Sequence, residues 1–148
     1  MQARILVVDD DEGARRLIEM VLLRAGYAVR VAGDDEQALR IFSAEPAELL
    51  VIDKNLPGAT GFDVITQLRA IYPDLPAIVI TAFPEPVLFR VPKIQGYLAK
   101  PFERLSILTE TVAGVLTQRS RLIEAGLARP PPAGKPAAQA QRDGKLSP

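Results

Sequence analysis

The sequence predicts an α/β protein: a doubly wound, five-stranded parallel sheet with helices on both faces. Three observations carry this. Short apolar runs rich in valine and isoleucine, the mark of strands covered on both sides, recur along the chain, as in RILVVD (4–9) and PAIVIT (76–81). Between them the apolar residues fall at helical spacing. The connections carry no hairpin signal, so successive strands run parallel and the helices cross over them.

RILVVD (4–9) is the first strand. From Glu12 the pattern turns helical, with Ala14, Leu17, Ile18, Val21, Leu22 and Ala25 on one face and Gly26 as the stop. YAVRVA (27–32) is the second strand, and DDEQALRIFSA (34–44) the second helix, opened by a capping aspartate and turning Ala38, Leu39 and Phe42 inward. ELLVID (48–53) is the third strand, followed by a KNLPGATG loop with Pro57-Gly58 as its turn. FDVITQLRAIY (62–72) is the third helix, closed by Pro73. PAIVIT (76–81) and QGYLAK (95–100) are the fourth and fifth strands. The last helix spans 103–124, with Leu105, Leu108, Val112, Val115 and Leu116 inward.

Composition narrows the chemistry. The 148 residues suffice for one domain with its own core. No cysteine and no histidine occur, which removes thiol and Ser-His-Asp catalysis, Cys or His metal sites, and a phosphohistidine on this chain. Net charge is zero, and the basic residues are scattered rather than striped, so no nucleic-acid partner is expected. No signal peptide or membrane-length apolar run is seen, and a cytoplasmic location without membrane association is expected. Residues 125–148 hold five prolines, six alanines and no aromatic, which cannot build a core. The expected division is a domain over 1–122 and a flexible Pro/Ala-rich tail over 123–148, a native terminus or a linker.

The candidate site follows from the strand ends. In VVDDDE (7–12) acids crowd the end of a buried strand, where like charges repel and burial is costly unless compensated. Asp9 and Asp10 end the first strand, Asp53 the third, Thr81 the fourth and Lys100 the fifth. In a parallel sheet these ends share one edge, where doubly wound folds place their sites. Acids that converge there without His or Cys suit a hard cation, magnesium above all. Asp11 and Glu12 are read as helix-start residues, where acids favour the macrodipole. Thr81, Lys100 and Tyr97 each also have an ordinary reading, as a strand residue, a surface lysine and a packing aromatic.

ILVVDDDE, VIDKNLPGATGFDVI, IVITA and GYLAKPF, in this order, resemble the receiver domain of bacterial two-component response regulators (CheY-like), over roughly residues 3–121. The resemblance implies a flavodoxin-like sheet of order 2-1-3-4-5. It implies a phosphorylation-dependent signalling switch in which Asp53 accepts a phosphoryl group from a sensor histidine kinase or a histidine phosphotransfer protein. It assigns Mg2+ (or Mn2+) to Asp10, Asp53 and the Asn55 backbone carbonyl, with Asp9 acting through a water on the ion. Lys100 would pair with Asp53 and then with a phosphoryl oxygen. Thr81 would turn inward to the phosphoryl group and Tyr97 would follow it, as the switch. A cis peptide is implied at Lys100-Pro101. Ala82 leaves room over the phosphate, and Phe83 and Asn55 flank the water path. Such a domain is no enzyme beyond its own phosphorylation and dephosphorylation. No helix-turn-helix, nucleotide loop or catalytic output motif follows residue 124, so a stand-alone receiver is expected, acting by docking to a downstream protein. A weak homodimer is also admitted.

One stretch departs from the family pattern. AFPEPVLFRVPKIQ (82–95) should hold the fourth helix, yet it contains Pro84, Pro86 and Pro92 and is about a turn short. The fourth helix is therefore expected to be short or irregular, with Val87, Leu88, Phe89 and Val91 available to core or partner. Two alternative functions remain: a pseudo-receiver that binds protein without phosphate, and an Asp-nucleophile phosphatase. The second would want an acid two residues after the nucleophile, where Asn55 stands.

Overall fold

In the computed structural model, which describes residues 2–83 and 93–134, the apolar runs form strands and the periodic segments form helices. In chain order these are β1 (Arg4–Val8), α1 (Glu12–Arg24), β2 (Ala28–Ala32), α2 (Asp35–Ala44) and β3 (Leu49–Asp53). A short hairpin of β4 (Asn55–Leu56) and β5 (Ala59–Thr60) follows, then α3 (Gly61–Arg69), β6 (Ala77–Thr81), β7 (Gly96–Ala99) and α4 (Ser106–Glu124). The main sheet has the order β2-β1-β3-β6-β7, all parallel. Counted within that sheet alone, the order is the expected 2-1-3-4-5.

Strand alternation divides the core into two layers. Ile5, Val7, Leu49, Val51, Ile78 and Ile80 pack against Ile18 and Leu22 of α1 and Leu108, Val112 and Val115 of α4. On the other face Leu6, Val8, Leu50, Ile52 and Val79 meet Ala38 and Phe42 of α2 and Val64, Ile65 and Leu68 of α3. Each of the first three helices begins on a side-chain cap. Asp11 accepts from the Gly13 N–H, Asp34 from the Gln37 N–H, and Thr60 and Asp63 form a reciprocal capping box. Gly26, at φ 97°, ends α1, and the Tyr27 N–H closes on the Leu22 carbonyl.

Several details differ from the sequence reading. The loop after Asp53 contains the β4–β5 hairpin, with Gly58 at φ 73° in its turn. The third helix stops at Arg69 rather than 72, because Tyr72 and Leu75 turn into the core. The last helix starts at Ser106 rather than 103, which leaves Leu105 outside it and exposed. Leu17 and Leu39, expected inward, are also exposed: each lies at the margin of an apolar stripe wider than the face the sheet covers. The fourth helix expected over 82–95 falls on 84–92, outside the described residues, while Ala82, Phe83 and 93–95 are not helical. Val87, Leu88, Phe89 and Val91 lie outside them too.

Beyond α4 the chain runs across the base of the domain, the edge where the strands begin. Gly126, at φ 74°, turns it, and the Leu127 and Ala128 amides donate to the Leu122 carbonyl. The Arg129 N–H donates to Asp74 Oδ2 at 2.8 Å, and Gly134 lies against the Ala44 carbonyl, where a Cβ would collide. The expected boundary at 122 thus falls inside α4, and residues 135–148 lie outside the described residues. Among the described residues no helix is long and apolar enough to cross a membrane.

Candidate functional site

The site is assembled by strand ends. Asp9 and Asp10 follow β1, Asp53 closes β3, Thr81 closes β6, and Lys100 follows β7. Parallel pairing puts Asp53 beside Ile80 and Thr81 beside Ala99, so these ends share one edge.

Lys100 is the hub. Its Nζ donates to Asp9 Oδ2 at 2.6 Å and to Asp53 Oδ2 at 2.8 Å. Asp9 is only 1% exposed, and its Oδ1 accepts the Asp11 N–H at 3.0 Å. Asp53 Oδ1 accepts the Asn55 N–H at 3.0 Å. Asp10 is exposed, and one carboxylate oxygen from each of Asp9, Asp10 and Asp53 lies within 4.8 Å of the others. An all-carboxylate set of this spacing is compatible with a divalent cation. Burial is the largest influence on Asp9 and raises its pKa above the ordinary carboxylate range, against the pull of Lys100. Burial also acts on Lys100, lowering its pKa, but the hydrogen bonds to Asp53 and Asp9 outweigh it and leave the ammonium above its ordinary value.

The remaining candidates surround this cluster. Thr81 is fully buried, and its Oγ1 accepts the Phe83 N–H at 3.1 Å. Ala82 and Phe83 are exposed, Phe83 at 73%. Tyr97 is partly buried, paired with Val79 and packed on the α2–α3 side of the core. The Lys100-Pro101 peptide is cis.

Three features were not drawn from the sequence. Lys100 reaches Asp9 as well as Asp53. The Arg15 guanidinium donates to the Asp9 backbone carbonyl at 3.0 Å, tying α1 to the acidic turn. Gly61 lies so close beneath the end of β3 that a Cβ would stand 2.5 Å from the Asp53 carbonyl oxygen. Its amide donates to the Lys54 carbonyl at 2.7 Å. A glycine at a helix entry hinted at a special backbone position, though not at what it approaches.

The response regulator receiver domain model matches residues 5–112. Response regulator MprA of Mycobacterium ulcerans (strain Agy99) is 36% identical over 126 residues, covering 82% of this chain and 53% of the relative. Response regulator MprA of Mycobacterium bovis (strain BCG / Pasteur 1173P2) is 39% identical over 106 residues, 69% of this chain and 46% of the relative. The chain thus spans about half the length of these curated relatives. Among solved structures, chemotaxis response regulator CheY4 of Vibrio cholerae superimposes with a TM-score of 0.71 at 28% identity, covering 78% of this chain and 99% of that one. With the sheet order and the acidic strand-end cluster, these matches show that the chain belongs to the response regulator receiver domain family.

Proposed function

We propose that the protein is a phosphorylation-dependent signalling switch in which Asp53 accepts a phosphoryl group from the phosphohistidine of a sensor histidine kinase or phosphotransfer protein. One observation carries the reading: a single ammonium, Lys100 Nζ, hydrogen-bonds Asp9 and Asp53 together within a cluster of three carboxylates. In the transfer an Asp53 carboxylate oxygen attacks phosphorus. An O–P bond forms as the P–N bond breaks, and the imidazole leaves with that electron pair. The product is an acyl phosphate.

This chain's residues would position and neutralise the transferred group. Lys100 turns from Asp53 Oδ2 to a phosphoryl oxygen. Thr81 Oγ1 already accepts from Phe83, which leaves its own O–H to donate to the phosphoryl group. Tyr97, next to β6 in register, would follow Thr81 and alter a docking surface for a downstream protein. Asp10, Asp53 and the Asn55 carbonyl would hold magnesium (or manganese). Asp9, buried behind the more exposed Asp10 and Asp53, would act through a water on the ion. When bound, the ion supplies charge neutralisation for the incoming phosphoryl group.

The test is intact mass after incubation with magnesium and acetyl phosphate, with beryllofluoride titration by NMR beside it. The wild type is expected to gain one phosphoryl group and Asp53→Asn none, with beryllofluoride shifts reaching Thr81 and Tyr97. No adduct and no shift would overturn the reading in favour of a phosphate-independent binding module.

A further inference from the structure

We infer that the base of the domain is a binding site for the chain's own proline segment, residues 127–134, and that this strap carries whatever follows Gly134 to the C-terminal end of α2. The site is built from side chains that hold backbone. Tyr72, only 1% exposed, donates its hydroxyl to the Arg129 carbonyl at 2.8 Å. Asp74 Oδ2 accepts the Arg129 N–H at 2.8 Å. Both main-chain groups of one strap residue are therefore clamped by the α3–β6 connection, independently of what side chain residue 129 carries.

The clamp is itself supported. Arg119 of α4 donates to the Tyr72 hydroxyl through Nε and Nη2, each at 3.3 Å, and its Nη1 lies 3.5 Å from Glu48 Oε2. The phenol thus has its donor and acceptor roles filled by strap and helix, and without the strap its donor would lose the Arg129 carbonyl. Two further contacts fix the ends. Leu127 and Ala128 amides share the Leu122 carbonyl, and Gly134 meets the Ala44 carbonyl where no side chain fits. Between them Pro130, Pro131 and Pro132 have their φ set by the ring, so ordering this stretch costs less entropy than ordering a flexible one.

The geometry has a directional result. α4 packs on the same face of the sheet as α1, whereas α2 packs on the other. The strap takes the chain from one helical layer to the other, on the edge opposite the acidic cluster. A segment following Gly134 therefore starts beside α2 rather than at the end of α4.

The absence of cysteine makes the test direct. In the full chain, Lys135→Cys carries a single nitroxide label and amide signals are read by NMR. Strong relaxation enhancement is expected at residues 41–47. It should fall at least threefold when Asp74→Ala and Tyr72→Phe are combined. Gly134→Val provides a second release that leaves the Tyr72 clamp residues untouched, and it should also weaken the effect. The Arg129 amide should exchange at least tenfold more slowly than in the unfolded chain, and lose that protection in Asp74→Ala. Arg129→Ala should change none of these readings. Enhancement confined to the end of α4, or identical in released and intact chains, would overturn the inference. So would an unprotected Arg129 amide.

Discussion

At Lys100 two effects on the ammonium oppose each other. Burial lowers its pKa, and the hydrogen bonds to Asp53 and Asp9 raise it further than burial lowers it. The folded protein then holds this proton more tightly than the unfolded chain does. Its contribution to stability is full below the ordinary lysine value of ~10.4 and is lost as pH rises through the raised value. Asp9, raised chiefly by burial, has the same sign in acid: its contribution falls as pH rises through a window above ~3.9. Lys100→Met would leave a buried carboxylate without its ammonium, and a loss of about 3 kcal/mol at neutral pH is expected. Urea unfolding should show the gap between wild type and Lys100→Met narrowing as pH rises above ~10.4. A gap that stays constant through that range would rule out this account.

Among the elements, the β4–β5 hairpin and α3 are joined at Thr60, whose hydroxyl accepts the Asp63 N–H at 3.1 Å while the Asp63 side chain accepts the Thr60 N–H at 3.1 Å. Thr60→Ala should cost about 1 kcal/mol in chemical denaturation. Because the two bonds form one reciprocal cap, Thr60→Ala with Asp63→Ala should cost less than the sum of the single changes, and strict additivity would argue against the box. The strands and first helices were legible because valine-rich runs and capping aspartates are local signals. The hairpin was not, since two-residue strands are too short to show a period. The placing of the acidic strand ends and Lys100 on one edge could be read from parallel topology. The approach of Gly61 to the Asp53 carbonyl could not, because no side chain advertises it. Residues 125–134 belong to the stretch read as a tail, because prolines and alanines without an aromatic do not build a core. What holds them is backbone gripped by Tyr72 and Asp74, which composition cannot reveal.

For the molecule as a whole, a cation that binds only the folded cluster must stabilise the fold by mass action. At a magnesium concentration of 100 Kd the expected gain is about 2.7 kcal/mol. Calorimetry or urea titration should find that gain in the wild type and not in Asp10→Asn. An equal gain in both would place the ion elsewhere. The Asp9–Lys100 contact also links residues 91 apart in sequence, joining the first strand of the sheet to its last. Loops of that length close late, because the entropy of bringing their ends together must be met before any contact repays it. In any state with β1 and β3 paired and β7 undocked, the acids that end the two strands face one another without their ammonium. A chain interrupted before residue 100 would hold a strand-end cluster of negative charge without the ammonium that joins Asp9 to Asp53.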